Sequence, residues 1–513
     1  MIASPGLTRS ENIRMKEGIG MKNRLLALLL ALLMLGATAC GDPAADSAGN
    51  TSAGADTPAA EEAETEPEDT SVKTALPDDL DFAGASYRIH NLDSTSYYDT
   101  IVAFEQNGDN LNDAIYNRDQ KLMQDLNFKF EETVGNPDAH GGLVQETKNL
   151  IMAGDDAFDQ YILVDWSGYT LAQEGYAIPV TTLPYIDVTR EYWSQSIHED
   201  MSIRGKLYFA FGDHNLSTYD SVNVLLYNKA MSTDLNLEDH YGTVLEGTWT
   251  LDKMQSNMQL AVNDVDGNGT WDENDRYGIT SHSKQVLPVF WVASNMRTIE
   301  KNEEDVPVFS LSSNEKFATM YERVLSMMHG DHLLFMSDSF PDYANNTLFI
   351  GGGALYNIVR VAFLHYYRDM DIDYGIIPYP KWDEAQEQYC SRTEGAFIHI
   401  YPSTLTQHDL AGAVTEAMAC ASLNEIIPVY YDVVLKSKYT RDANSTAMLD
   451  LIYGNRFYDL GDTLFCGTIR DGVFAGKFKN NDVNLQSTLK SLTKISERTI
   501  NNYVEAFDKL EQP

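Results

Sequence analysis

Cysteine is nearly absent from these 513 residues: there are four, and none has the Cys-x-x-Cys spacing of a zinc site or a dithiol redox centre. Cys390, Cys420 and Cys466 are an odd set, so at most one disulfide can form among them. Basic residues are scarce as well. Lys and Arg number 37 against 76 Asp and Glu, a formal net charge of −39. That balance excludes nucleic acid, or an anionic membrane surface, as a partner held by charge, because phosphate contacts need clusters of Lys and Arg. Signatures of common catalytic centres are missing too. The sequence has no Gly-x-Ser-x-Gly elbow and no His-Glu-x-x-His pair. The glycines at 351–353 are not followed by the Gly-Lys-Ser/Thr of a phosphate-cradling loop. His90, His198, His282, His365 and His399 share no ligand spacing. Among 76 carboxylates some pair always falls close together, so their abundance is no argument for a glycoside hydrolase.

What is present begins with an export signal. Met21-Lys-Asn-Arg24 precedes the apolar run Leu25 to Leu35, which is too short to span a bilayer, and Gly36-Ala-Thr-Ala-Cys40 follows. A cysteine directly after small residues is the pattern of a lipidation box, so Cys40 is expected to become the lipid-bearing first residue. Residues 1–20 are polar and precede a better start at Met21. From 41 to 79 the chain is rich in Ala, Ser, Thr, Gly, Pro and acid, with six carboxylates and no base between Glu61 and Asp69. Such a segment cannot bury enough apolar surface to offset its ordering entropy, and it is expected to be a disordered tether.

Ordered sequence is expected from Leu80. Ser86–His90 reads as a strand, Leu111, Ile115, Leu122 and Leu126 as one face of a helix, and Phe128–Val134 as a second strand. Val144–Met152 reads as a helix and Phe158–Val164 as a buried strand, an alternation that implies an α/β lobe with parallel pairing. Asp165-Trp166 then falls at the carboxyl end of a strand, where open α/β sheets bind ligands. Val222, Val224 and Leu226 alternate with Ser221, Asn223 and Leu225 in another strand, and Thr250 caps a helix with Leu251, Met254, Met258 and Ala261 on one face. Farther on, Leu410, Val414, Ala417 and Met418 mark an amphipathic helix, and Leu485, Leu489, Leu492 and Ile495 share the stripe of a last one. The sharpest motif is Asp264-Val-Asp266-Gly-Asn268-Gly-Thr270-Trp-Asp272-Glu-Asn-Asp275, with oxygen side chains at loop positions 1, 3, 5, 9 and 12 and Gly269 at position 6. This is the calcium-loop pattern with Asp in place of Glu at position 12, and the Thr270 carbonyl completes the expected ligand set.

Several segments, in order, resemble the family 1 extracellular solute-binding proteins, the maltose-binding type. They are Ala153-Gly-Asp-Asp156, Gly175–Val180 with Leu183-Pro184, the strand into Tyr227-Asn-Lys229, Gly247-Thr-Trp-Thr250, Phe349–Ala354, Tyr374–Pro380 and Gly395–Pro402. Tyr430–Asp442 is similar to long clostridial members, and the solitary calcium loop to that of alginate-binding members. The resemblance implies a two-lobed α/β fold of the periplasmic binding protein type II, with lobe 1 over 80–220, lobe 2 over 221–395, a return to lobe 1 over 396–440 and a helical segment over 441–513, mainly in lobe 2. It further implies a lipid-anchored, monomeric, non-enzymatic component of an ABC importer outside the cytoplasmic membrane, binding a carbohydrate between the lobes and handing it to the permease. Asp165, Trp166, Tyr219 and Asp220 are the expected ligand contacts on the first lobe and the crossover, and Trp291, Tyr356 and Arg360 those on the second. The alternatives are a lipid-anchored sensor or peptide-binding protein on the same fold, and a surface glycoside hydrolase.

Overall fold

The computed structural model describes residues 71–92, 100–135, 139–209, 211–339, 346–432 and 440–510. Cys40, the signal segment, the tether up to residue 70 and positions 433–439 of the Tyr430–Asp442 stretch lie outside the described residues. The chain is described from Ser71, nine residues ahead of the expected Leu80. Val72, Leu76 and Leu80 pack on the first lobe. The Val72 amide donates to Asn424 Oδ1 at 3.0 Å, and its carbonyl accepts from Asn424 Nδ2 at 2.9 Å. These contacts supply the apolar burial and backbone partners that composition alone did not promise.

Two five-stranded sheets define two lobes. In the first, Ala85–Asn91 lies parallel to Phe128–Val134 on one side and to Gln160–Val164 on the other. The connecting helices are Asn110–Asp125 and Ala139–Met152, and Asp109 caps the former by accepting from the amides of Leu111 and Asn112. Phe397–Pro402 returns much later in sequence to pair antiparallel with Gln160–Val164, and Ala177–Ile178 completes the sheet.

The second sheet runs in the order Tyr374–Ile377, Asn223–Asn228, Ala354–Arg360, Tyr277–Ser281, Leu334–Met336. Asn223–Asn228 is antiparallel to both neighbours, whereas the last three strands are mutually parallel. Every residue of Asn223–Asn228 is buried. Val224 and Leu226 join one apolar core with Phe349 and Tyr374, and Leu225 and Tyr227 join another with Trp249 and Tyr356. The period-two pattern therefore sorts side chains between two cores, as expected for a central strand covered on both faces.

Helix Leu251–Ala261 has the predicted cap and face: Thr250 accepts from the Lys253 amide, and Leu251, Met254, Met258 and Ala261 are buried. Helix His408–Glu425 differs from its amphipathic reading, since Leu410 through Cys420 is buried throughout. It packs on helix Asn110–Asp125, and the segment around Val72 crosses it, so little of it is left to solvent. On the last helix, Leu485–Leu510, the buried stripe passes through Leu485, Leu489, Leu492, Ser496, Ile500 and Tyr503, leaving Ile495 exposed. A 3.6-residue period carries the stripe from 492 to 496, one position beyond the predicted isoleucine. Among the described residues no helix is long and apolar enough to cross a membrane. Cys390, Cys420 and Cys466 are free and buried.

Two expected ligand contacts turn out to be core residues. Trp291, on helix Ser283–Ala293, is wholly buried with its ring edge-on to Phe474 at 5.7 Å. Tyr356, in the middle of Ala354–Arg360, is equally buried, its hydroxyl bonded to His240 Nε2 at 2.7 Å and Asn257 Nδ2 at 3.0 Å. Strand rise accounts for the contrast with Arg360, because four residues at about 3.3 Å each carry the chain about 13 Å from the core to the end of the sheet. Trp291→Ala is expected to cost about 3–5 kcal/mol of stability, the usual range for deleting a buried aromatic ring, measured by urea unfolding.

Candidate functional site

Three segments meet where the chain passes between the sheets. The Glu394 amide donates to the Ser221 carbonyl at 3.4 Å, the Thr393 amide to that of Phe457 at 3.1 Å, and the Ser391 amide to that of Asn455 at 2.9 Å. Around this junction the sheets present their carboxyl ends: Gln160–Val164 leads into Asp165-Trp166, Tyr277–Ser281 into His282, and Ala354–Arg360 ends in Arg360. Open α/β sheets place ligands at such ends. A cleft of about 680 Å³ lies there. Its first-lobe wall is one face of helix Asp165–Gln173, carrying Trp166, Thr170 and Gln173 at helical spacing. Its second-lobe wall holds His282, Lys284, Gln285 and Arg360, Glu394 comes from the crossover, and Leu464–Thr468, Arg470, Asp471 and Thr499 supply a third side.

The second-lobe wall and the crossover rest on a buried charge network. Glu394 pairs with Arg360, with Arg392 at 3.5 Å and with Arg470 at 3.1 Å. Arg392 also grips both oxygens of Asp462, donates to Asn223 Oδ1 at 3.2 Å and donates to Gln285 Oε1. Arg470 reaches Asp462 Oδ1 and Asp471 Oδ1, at 3.1 and 3.0 Å. Burial alone would raise the Glu394 carboxyl, but the guanidiniums of Arg360, Arg392 and Arg470 outweigh it and hold the group at about 2.

Asp165 lies beneath this wall, not in it. Its Oδ2 accepts from the Tyr458 hydroxyl at 2.7 Å and the Gly395 amide at 3.0 Å, and its Oδ1 from the Trp166 amide at 2.6 Å. Burial, opposed by the Tyr458 hydrogen bond, raises the carboxyl to about 6. The expectation that Asp165 receives ligand hydroxyls is replaced by a clasp joining the first sheet, the crossover and the C-terminal segment. Tyr219 and Asp220 also turn away from the cleft wall, into an aromatic cluster on the crossover. Tyr219 donates to Asp213 Oδ1 at 2.8 Å, with the Arg456 guanidinium 4.6 Å over its ring, and Asp220 accepts from the Tyr430 hydroxyl at 2.5 Å. Of the seven expected contacts the structure brings Trp166 and Arg360 together in one cleft. It adds Thr170, Gln285, Glu394 and Arg470, which the sequence reading missed. The i, i+4 spacing could have indicated Thr170, and Glu394 directly precedes the recognised Gly395 crossing. Nothing in the sequence pointed to Arg470.

In the Asp264–Asp275 loop, carboxylate oxygens of Asp264, Asp266 and Asp275 lie within 4.8 Å of one another. Gly267 and Gly269 adopt φ of +67° and +77°, turning their amides onto the two oxygens of Asp264. Asp275 closes the loop by accepting from the amides of Val265 and Asp272 at 2.9 and 3.0 Å. Asn268 Oδ1 and Asp272 Oδ1 accept from the Thr270 and Asn274 amides. Mutual Asn263–Arg276 hydrogen bonds join the ends of the loop, which passes into strand Tyr277–Ser281 instead of a second helix. This all-oxygen donor set fits a hard divalent cation.

The architecture is the two-lobed fold of type II periplasmic binding proteins. An ABC substrate-binding protein of Listeria monocytogenes, solved in complex with cycloalternan, is similar over 82% of this chain and 98% of its own, with a TM-score of 0.51 and 12% identity. A sugar transporter of Rhizobium etli in an open conformation gives 0.54 and 14%, covering 83% of this chain and 99% of its own. The maltose/maltodextrin-binding domain MalE of Bdellovibrio bacteriovorus bound to maltotriose gives 0.51 and 12%, over 81% and 100%. No protein-family model matches the sequence, and no curated protein matches it. At identities of 12–14% these TM-scores show a shared fold alone.

Because the Glu394 carboxyl is depressed in the folded chain, its stabilising contribution is complete above its ordinary value of 4.5 and is lost as pH falls through about 2. Glu394→Gln leaves three guanidiniums facing fewer carboxylates and is expected to cost about 3–5 kcal/mol near neutral pH. Urea unfolding at stepped pH is expected to show this deficit shrinking between about pH 4.5 and about pH 2.

Proposed function

We propose that the protein is the substrate-binding component of an ABC importer and that its ligand is a carbohydrate, enclosed between the two lobes. The observation that carries this reading is the cleft, in which Trp166 on the first lobe and Arg360 on the second share one cavity at the carboxyl ends of both sheets. A bound molecule touching both walls favours the closed arrangement by its differential affinity. An indole face suits the apolar face of a sugar ring, and Gln285, Thr170 and Arg470 are hydrogen-bonding partners for hydroxyls. The solved neighbours bound to cycloalternan and maltotriose support the same ligand class. We read the chain as a binder and not a catalyst: Glu394, held at about 2 by three guanidiniums, is no proton donor near neutral pH. The export signal and Cys40 support attachment by lipid outside the cytoplasmic membrane, where a monomer would reach its permease.

A screen of the protein by thermal shift against mono- and oligosaccharides tests this reading, because a ligand that binds only the folded state raises its melting temperature. With a ligand in hand, Trp166→Ala is expected to weaken binding by about 1–3 kcal/mol, as for other aromatic stacking platforms, with a nearly unchanged melt. Titration calorimetry checks the affinity, and wild-type affinity in this variant would remove Trp166 from the site.

We also infer one structural calcium ion, held by Asp264, Asp266, Asn268, the Thr270 carbonyl, Asp272 and Asp275. Calcium would supply charge compensation that lets these oxygens converge, and the loop would then brace the second lobe between helix Leu251–Ala261 and strand Tyr277–Ser281. Chelation is expected to lower the melting temperature of the wild type and not that of Asp264→Ala. An unchanged wild-type melt in chelator would exclude a stabilising ion.

A further inference from the structure

The charges lining the cleft run against those of the rest of the chain. With a formal net charge of −39, a cavity chosen at random would be lined mainly by carboxylates. This one presents three cations, Lys284, Arg360 and Arg470, whose side chains are 53%, 14% and 10% exposed. Glu394, itself on the cleft wall, and Asp462 balance the guanidiniums and are each 1% exposed, and Asp471 pairs with Arg470 at 3.0 Å and lies 3.9 Å from Lys284. Asp471, 33% exposed, is the one acidic side chain on the cleft wall with appreciable access to solvent. Lys284 is thus the most exposed charged side chain on the wall, and Glu394, the partner of Arg360, is withdrawn from solvent. His282 adds polarity rather than charge, since burial keeps its imidazole below its usual range.

Positive groups are also gathered from separate parts of the chain. Arg360 ends a strand of the second sheet, Lys284 opens helix Ser283–Ala293, and Arg470 arrives from the C-terminal segment. Glu394 receives both arginines, which fixes their guanidiniums against one another and spares a ligand the cost of ordering them. A guanidinium placed like that of Arg360 suits a carboxylate or a phosphate, with which it forms charge-assisted hydrogen bonds, whereas the fork of Arg470 is taken by Asp471.

We propose that the ligand is an anionic saccharide, with its sugar ring against Trp166 and its acidic group received by Arg360 and Lys284, beside an Arg470 whose guanidinium is held by Asp471, Glu394 and Asp462. This rests on the carbohydrate-binding reading above. The volume of about 680 Å³ lies within the usual range of small-molecule sites, roughly 300–1,000 Å³, and suits a short saccharide and not a long polymer.

The test uses the full chain and matched pairs: glucose with glucuronic acid, galactose with galacturonic acid, their di- and trisaccharides, and each hexose with its 6-phosphate. Thermal shift finds the binders and titration calorimetry measures them. The expected result is that the acidic member of at least one pair binds at least about tenfold tighter than its neutral partner, the scale of one charge-assisted hydrogen bond. The uronate and phosphate arms identify which anion is recognised. Raising ionic strength from about 0.01 M to about 0.15 M is expected to weaken that binding, since the screening length falls from about 30 Å to about 8 Å. Lys284→Gln, at an exposed position that leaves the core intact, and Arg360→Gln are both expected to narrow the acidic-to-neutral ratio. Neutral sugars binding as tightly as their acidic partners, or a ratio unmoved in Lys284→Gln, would overturn the proposal and leave the carbohydrate reading standing. A panel in which no saccharide binds would overturn both.

Discussion

Buried charge is the constraint on which the junction of the two lobes depends. Removing an ion from water costs several kcal/mol even after relaxation, so Arg360, Arg392, Arg470, Glu394 and Asp462 are tolerable only in mutual contact. Each comes from a strand end, a crossover or the C-terminal segment, and each satisfies partners on the others. The set acts as a positional code. If any one of these segments were displaced, a charge would be left in a medium that cannot solvate it. Net stabilisation by such a network is modest, but the number of arrangements it permits is small.

The same junction ties the cleft to both sheets. Asp165 clasps the Gly395 amide and the Tyr458 hydroxyl from the end of the first sheet, while Asn223, at the start of a second-sheet strand, receives Arg392. Trp166 follows the clasp by one residue, and Arg360 belongs to the charge network. The two walls that a ligand would bridge are thus each attached to the segments by which the chain passes between lobes. Coupling of ligand contact to lobe movement needs such an attachment, because hinge motions are absorbed by a few residues at element ends.

Stabilisation of the second lobe away from the cleft takes a different form. Its central strand, Asn223–Asn228, divides its side chains between two apolar cores, and Trp249, Trp291 and Tyr356 fill space that the sequence reading had partly assigned to ligand. The Asp264–Asp275 loop lies at the margin of this lobe, closed by hydrogen bonds from its own amides. Charge thus serves two purposes in one lobe: buried pairs lock the junction, and carboxylates from the exposed Asp266 to the buried Asp275 gather in one loop.

Periodicity and capping are local properties, and the sequence by itself determined what depends on them. The parallel start of the first sheet, the Thr250 cap with its face of Leu251, Met254, Met258 and Ala261, the tight glycine turns of the oxygen-rich loop and the return strand after Gly395 were all legible, because each is written within about ten residues. Tertiary structure decided what depends on partners distant in sequence. Trp291 and Tyr356 carry residue types that serve equally in a core or a binding site, and only the packing of Phe474 and His240 against them assigns them to the core. Asp165 lay at the right end of the right strand, yet Tyr458, nearly 300 residues later, claims the oxygen that a ligand would have used. Arg470 was invisible for the complementary reason. A lone arginine in a C-terminal segment has no local signal, and its place in the cleft exists only because Glu394 and Asp462, from two other turns of the chain, create a site that an isolated charge must fill.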